Sequence, residues 1–264
     1  MKIATWNVNS IRKRAAQVQA WLARESPDIL LLQELKCEAR DFPELDFAGL
    51  GYRAEIVGQK AYNGVAVLAR IPFTVTQRAL PGLAVAGDGV NGDGAVEARY
   101  IEITAAEMVI GGLYAPNGNS GGAAGFQKKL RWLDALITHA RALLAADTPL
   151  VLAGDFNICP EDDDLAPGAL AADDALVRPE SRARFRTLLW LGMTDALRAL
   201  TPEGPLYTFW DYQAGAFAAD RGLRIDHVLL SPTLAERLSA ATIDRTARAA
   251  EQPSDHVPVT VILR

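Results

Sequence analysis

The chain has 264 residues, 50% of them hydrophobic and 22% charged, with a formal net charge of −5. That is a globular composition, and the acidic balance argues against a protein that coats nucleic acid nonspecifically, because phosphate binding is driven by Lys and Arg releasing counterions. With Cys37 and Cys159 the only thiols, no disulfide framework or zinc site is expected, and apolar runs such as "DILLL" fall far short of the roughly 20 residues that span a bilayer.

In chain order, "KIATWNV" (2–8) predicts a strand and "RKRAAQVQAWLARE" (12–25) an amphipathic helix ended by Pro27. A second strand, "DILLLQEL" (28–35), follows. After a loop, "NGVAVLAR" (63–70), "ARYIEITAAE" (98–107) and "MVIGGLYAP" (108–116) read as strands joined by Gly-rich turns. The stretch "AAGFQKKLRWLDALITHARALLA" (123–145) predicts a long helix leading into "LVLAGDFN" (150–157), and residues 181–200 predict another helix. "LRIDHVLLS" (223–231) and "VPVTVILR" (257–264) close the chain as strands. Hairpin neighbours mix with helix-connected strands, so a mixed α/β or α+β sandwich is expected. No linker or shift in composition divides the chain, and residues 1–264 read as one domain. The Gly-rich stretches 82–95 and 117–125 read as surface loops. Cation clusters at Arg12, Lys13 and Arg14, at Lys128, Lys129 and Arg131, and at Arg178 to Arg186 read as solvated helix faces. The acidic run Glu161 to Asp164 reads as a solvated loop rather than a second cation site. No export signal is visible, and a reducing cytoplasm is the expected compartment.

A recurring pattern carries the chemistry: an apolar strand runs out onto a hydrogen-bonding or anionic residue. It does so at Asn7 and Asn9, at Glu34, at Tyr114 and Asn117, and at Asp155 and Asn157. Strand alternation puts Asp155 and Asn157 on one side with Phe156 on the other, and sets Asp226 with Arg224 and Val228 while turning His227 away. "PSDHVPV" places Asp255 and His256 just before the final strand. Any one of these residues has a plain structural reading as a turn former or a bonded core tyrosine. Their coincidence at strand ends is what argues for a site. Of the three histidines, His139 is expected to face solvent and His227 to be a sheet residue, which leaves His256 as the candidate. Oxygen donors without a Cys cluster suit a hard cation, Mg²⁺ or Mn²⁺, which keeps places for water and phosphate. Phosphate-ester hydrolysis is the expected chemistry: metal near Glu34, an Asp to orient or deprotonate water, and an imidazolium to steady the growing charge. Asp226, if adjacent to His256, would hold the ring and keep it charged.

The blocks "TWNVNSIR" (5–12), "LLLQELK" (30–36), "YNGVAVL" (62–68), "LYAPNG" (113–118), "LAGDFN" (152–157), "YTFWDY" (207–212), "GLRIDHVLLS" (222–231) and "SDHVPV" (254–259) together resemble exonuclease III. That is the abasic-site endonuclease branch of the endonuclease/exonuclease/phosphatase superfamily. The blocks fall in family order and span essentially the whole chain. The resemblance implies a four-layer α/β sandwich, two central mixed β-sheets flanked by helices, with the site at one edge. It implies that Asn7 and Glu34 are metal-site residues, that Asp255 is a further acid near the metal, and that Asp155, Asn157 and His256 border the same ion. Asp155 is similar to the acid that positions and deprotonates the attacking water, and Asn157 to the amide that helps hold it. Tyr114 matches the tyrosine beside the scissile phosphate, Asn117 a phosphate contact, and His256 the phosphate-binding histidine oriented by Asp226.

"YTFWDY" and "GLRID" imply a pocket for a flipped, baseless sugar, walled by Phe209 and Leu223; Leu223 is smaller than the tryptophan some relatives carry, which implies a looser pocket. Ser10 stands where glycine is frequent and reads as neutral. The implied activity is Mg²⁺-dependent cleavage of duplex DNA 5′ to an abasic site, with 3′-to-5′ exonuclease and 3′-phosphatase action, as in base excision repair. Mn²⁺ is expected to substitute. The implied partner is double-stranded DNA with abasic sites or 3′ ends, with no membrane and no obligate protein partner, the enzyme acting as a monomer. Two rivals remain: the same metal site acting on another phosphate ester, and a noncatalytic nucleic-acid binder, which should lack Glu34, Asp155 or His256.

Overall fold

The computed structural model describes residues 1–83 and 96–264. In chain order the strands are β1 (Lys2–Asn7), β2 (Ile29–Gln33), β3 (Arg53–Val57), β4 (Val65–Ala69), β5 (Thr74–Gln77), β6 (Tyr100–Ala105), β7 (Met108–Tyr114), β8 (Leu150–Asp155), β9 (Thr194–Asp195), β10 (Asp226–Leu230), β11 (Leu238–Ile243) and β12 (Val259–Leu263). The helices are α1 (Ile11–Glu25), α2 (Glu44–Ala48), α3 (Gly122–Ala145), α4 (Pro179–Trp190), α5 (Ala196–Leu200) and α6 (Pro232–Ala235). The described residues form two six-stranded mixed sheets, one in the order β11-β12-β1-β2-β4-β3 and the other β5-β6-β7-β8-β10-β9. β1 runs parallel to β2 across the α1 crossover, and β7 parallel to β8 across α3.

Alternation along the strands divides the apolar residues among layers. Ile3, Ile29, Leu31, Val65 and Val67 of the first sheet face Ile101, Ile110, Val151, Ala153 and Val228 of the second across the central interface. The outer face of the first sheet, with Ala4, Trp6, Leu30, Leu32 and Leu68, receives Ile11, Val18, Trp21 and Leu22 of α1. Their three- and four-residue spacing makes that helix one-sided. Its end is set by Ser26, left-handed at φ 46, whose N–H returns to Leu22 O just before Pro27. On the outer face of the second sheet, Leu150, Leu152 and Phe156 meet Trp132, Leu133 and Leu136 of α3 with Phe185 and Leu188 of α4. Helix, sheet, sheet and helix are the four expected layers. Leu31, fully buried between the sheets, is a position where truncation to Ala would cost about 2–5 kcal/mol.

Several expectations are corrected. Residues 181–200 are not one helix: α4 stops at Trp190, the chain turns at Gly192 (φ 106), forms the two-residue β9, and restarts as α5 with Asp195 as N-cap. The strands β3, β5 and β11 were not foreseen, because they carry few fully buried residues and their apolar positions are only partly covered. His139 does not face solvent; its Nε2 lies 2.6 Å from Oε2 of the buried Glu102, to which Tyr100 OH also donates, while Thr76 donates to Oε1. The Gly-rich stretch 82–95 falls outside the described residues from 84 onward. In the other, 117–125, α3 already begins at Gly122.

The charge clusters are likewise not all solvated. Arg14 and Lys129 are buried on the inner faces of α1 and α3. Asp164 of the acidic run is wholly buried against Arg224 and Arg198, so that run is neither a solvated loop throughout nor a cation site. Arg224 lies ahead of β10, outside its alternation, and contacts His227 rather than sharing the Asp226 side.

Candidate active site

The inward-facing positions of β1, β2, β7 and β8 are apolar, Thr5 excepted, until their last rungs. β1 ends on Asn7, β2 on Gln33, β7 on Tyr114 and β8 on Asp155, while Asp226, the first residue of β10, pairs with Asp155. Polar side chains therefore gather at one edge of the inter-sheet core, above a buried Thr5–Gln33 pair with hydrogen bonds of 2.9 and 3.2 Å. Gly154 lets the edge close: a Cβ there would lie 1.9 Å from Leu113 O on β7.

The Asn7 amide Nδ2 donates to Glu34 Oε1 at 2.9 Å and to Asp155 Oδ2 at 3.0 Å. Glu34 also pairs with Lys36 at 2.8 Å. Burial alone would raise the Glu34 carboxyl, but Lys36 and the Asn7 amide hold it below the usual carboxylate range. The other Asp155 oxygen, Oδ1, accepts from the backbone N–H of Asn157 at 2.8 Å. Asn157 stands left-handed at φ 52, as do Glu34 (φ 53) and Asn9 (φ 43), conformations that cost on the order of 1–3 kcal/mol each and persist where surroundings enforce them. The Asn157 amide donates to Ala115 O at 2.9 Å and accepts from Asn117 Nδ2 at 3.1 Å. The Tyr114 ring lies under Arg99, 4.8 Å from its guanidinium, and burial, with Glu34 and Asp155 nearby, pushes the phenol well above its ordinary value.

His256 sits across from Asp155, its Nε2 3.8 Å from Asp155 Oδ2. Its Nδ1 donates to Asp226 Oδ2 at 2.8 Å, and Thr208 Oγ1 donates to the same oxygen at 2.7 Å. Burial lowers the imidazole, yet the Asp226 carboxylate outweighs it, with Asp155 adding, and raises the ring to about 10. Asp155 is displaced upward, first by burial and then by Asp226 and Glu34, with His256 opposing. The Phe209 ring stacks edge-on against His256 at 4.9 Å between centroids, and Leu223 bridges Phe209 on its other side. Glu34, Asp155 and His256 each place a ligand atom within 4.8 Å of the others. A buried and a half-buried carboxylate, with an amide between them, form an oxygen-rich donor set that fits a hard divalent cation. Asp255 lies beside that group rather than in it, accepting from Asn9 Nδ2 at 3.0 Å.

The sequence reading missed the residues that brace this edge. Lys129 Nζ donates to Asn157 O at 2.5 Å and Asn117 O at 2.9 Å, stapling two candidate phosphate loops, and burial draws its ammonium down to about 7. Arg14 donates to Asn9 O at 2.6 Å, Pro253 O at 3.0 Å and Tyr212 OH at 2.9 Å. Ser254 Oγ donates to Asn7 O at 2.7 Å. The signal was available for two of them: Arg14 and Lys129 fall on the apolar stripes of their helices, where a cation needs a partner.

A buried carboxylate opposite a charged histidine, beside a cluster of oxygen donors at a sheet edge, is an arrangement suited to hydrolysis of phosphate esters. The chain belongs to the Endonuclease/Exonuclease/phosphatase family, whose model matches residues 4–256, and it is a phosphodiester hydrolase. It is 31% identical to exodeoxyribonuclease III of Haemophilus influenzae, over 98% of both chains. It is 33% identical to the DNA repair nuclease APEX1 of Danio rerio, covering all of this chain and 82% of that one. Among solved structures, the 3′ phosphatase NExo from Neisseria bound to a product DNA hairpin superposes with a TM-score of 0.92 at 38% identity, covering 100% of this chain and 99% of that one. An AP endonuclease from Archaeoglobus fulgidus gives 0.89 at 35% identity with the same coverage.

Proposed function

We propose that the protein is a Mg²⁺-dependent DNA-repair nuclease that incises duplex DNA 5′ to an abasic site, leaves a 3′-hydroxyl, and also processes 3′ ends. The observation that carries this reading is the juxtaposition of the Asp155–Asn157 pair with the Asp226–His256 pair, next to Phe209, whose ring packs on His256 and whose backbone bridges Leu223. Asp155 orients the attacking water and takes its proton, and Asn157 holds the water from the other side. As the water oxygen bonds to phosphorus, the bond to the 3′ oxygen of the upstream nucleotide breaks, and charge grows on the remaining phosphoryl oxygens. The His256 imidazolium, kept protonated by Asp226, lies where it can neutralise that charge, with Asn117 and Tyr114 as further contacts. Glu34, Asn7 and Asp155 would hold the cation, with Asp255 close by; His256 serves the phosphate better than the ion because its ring, raised to about 10, carries a proton on both nitrogens and offers no lone pair. A bound Mg²⁺, or Mn²⁺ in its place, supplies Lewis-acid neutralisation of phosphate charge. The Phe209–Leu223 pocket takes an extruded sugar, a step that is least costly where no base is stacked.

The relatives named for DNA repair, exonuclease and AP endonuclease action support the DNA substrate. The test is a labelled duplex with one abasic site, incubated with Mg²⁺ or with excess chelator. Metal-dependent incision leaving a 3′-hydroxyl supports the reading, and an intact duplex overturns the incision step. A second reading, 3′-end processing without incision, is favoured by the likeness to the solved 3′ phosphatase. It predicts that a 3′-phosphate is removed while the abasic duplex stays whole.

A further inference from the structure

Asp164 and Arg224 lie against the site, yet neither has a part in the chemistry above. Their backbones belong to a small ladder: Leu165 bridges Leu223, Leu223 bridges Phe209, and Phe209 bridges His256, all antiparallel. Arg224 N donates to Asp164 O at 2.7 Å and Ala166 N to Gly222 O at 2.9 Å on the first step. Leu223 N and Phe209 N donate to each other's carbonyls at 2.9 Å on the second. Val257 N to Thr208 O and Trp210 N to Asp255 O, both at 2.9 Å, complete the third. The phosphate histidine and both pocket walls are thus successive rungs, and Leu165 is the outer one.

A single edge rung is held in place by its side chains. Asp164, fully buried, receives both arms of the Arg224 guanidinium, Nε at 2.6 Å and Nη2 at 2.9 Å, and also Arg198 Nη2 at 2.6 Å. Arg224 Nη1 reaches Asp195 Oδ2 at 2.6 Å and lies 3.2 Å from His227 Nδ1. Asp195 closes β9 and caps α5, so the cluster ties the outer rung to the second sheet. The buried charges balance one another with directional bonds, and such a network fixes geometry more than it adds stability.

We propose that Asp164 and Arg224 form a positioning clamp that fixes the Leu223 wall relative to Phe209 and so sets selectivity between an extruded abasic sugar and an ordinary 3′-terminal nucleotide. This rests on the DNA-nuclease reading above. A baseless sugar is smaller than a nucleotide. A wall that is free to shift outward admits the larger group, while Asp155 and Asn157 lie on another segment and His256, on the far side of Phe209 from Leu223, keeps its own bonds to Asp226 and the 208–210 backbone.

The test compares single-turnover rates of abasic-duplex incision, removal of an ordinary 3′ nucleotide, and removal of a 3′-phosphate, for the wild type, Asp164→Asn, Arg224→Lys and Leu165→Ala. The clamp predicts that all three variants lower the ratio of incision to nucleotide removal by about tenfold, with 3′-phosphate removal within about twofold of wild type. Leu165→Ala keeps every charge of the cluster paired and so remains informative if Asp164→Asn folds poorly. Rates that fall in proportion, or an unchanged ratio in Leu165→Ala and Arg224→Lys, overturn the clamp. A wild-type protein that incises no abasic duplex instead sinks the functional reading on which it rests.

Discussion

The His256 imidazole is bonded to the Asp226 carboxylate at 2.8 Å, and that contact sets the charge of the ring facing Asp155. Asp226 Oδ2 is shared with Thr208, while Oδ1 has no hydrogen-bond partner among the described residues, so His256 is the cation that compensates this buried carboxylate. The ring is raised from its ordinary value to about 10 despite burial. A group whose folded value lies above its unfolded value contributes stability that is complete below about pH 6.5 and is lost as pH rises toward 10.

Asp226→Asn is therefore expected to remove much of the wild type's loss of unfolding free energy between pH 6.5 and 10, followed by urea unfolding in chelator. The same change should lower kcat by about 10²- to 10³-fold and shift the alkaline limb of the pH–rate profile downward. An unmoved limb would mean that Asp226 does not govern the charge of His256.

Asp155→Asn should separate stability from activity. Asp155 is buried, and its carboxyl is raised above its ordinary value of 3.8, so its ionisation costs stability once pH exceeds that value. In chelator at pH 8 the variant is expected to be more stable than wild type by about 1 kcal/mol, with the difference fading toward pH 4. Nicking should fall by about 10³-fold or more. A variant less stable at pH 8 without metal would mean that His256 fully compensates the buried charge of Asp155.

Most of the fold was legible because β1, β2, β7 and β8 are near-continuous apolar runs, buried on both faces, and α1 and α3 are one-sided. Site residues at strand ends were visible for the same reason: Asn7, Tyr114 and Asp155 occupy inward positions where the pattern calls for an apolar residue. What escaped was set by tertiary partners. Nothing local distinguishes Asp164 from its solvated neighbours Asp162 and Asp163, because its burial depends on Arg224, 60 residues away. The break between α4 and α5 turns on Gly192 and on β9, which pairs with Leu229 and Leu230 of β10.

Glu34→Gln tests the cation site without relying on catalysis. Anything that binds the native state alone stabilises it by mass action, about 2.7 kcal/mol at a hundred times Kd. Saturating Mg²⁺ should therefore raise the wild-type Tm by several degrees, and Glu34→Gln should abolish most of that rise. In chelator, the variant also leaves Lys36 without its carboxylate partner, 2.8 Å away, a cost of about 1 kcal/mol for a partly exposed pair. A full Mg²⁺-dependent rise in the variant would place the cation elsewhere.

Ser10 is not the neutral replacement for glycine that the sequence suggested. It stands at φ 91, ψ 103, between the left-handed Asn9 and the start of α1, and its side chain makes no capping bond. The conformation is imposed from outside: Ser10 N donates to Glu34 O at 2.7 Å and Ile11 N to Leu35 O at 3.1 Å, locking this turn to the end of β2. A non-glycine residue held there carries strain of about 1–3 kcal/mol, and glycine relieves it while losing about 0.5–1 kcal/mol more chain entropy on folding. Ser10→Gly is thus expected to stabilise the protein by about 1 kcal/mol and raise Tm by roughly 2–4 °C, with nicking unchanged within about twofold. The activity should hold because Asn7 and Asn9 keep their own bonds to Asp155 and Asp255. A lower Tm in thermal unfolding would show that the Ser10 side chain contributes more than its backbone strain removes.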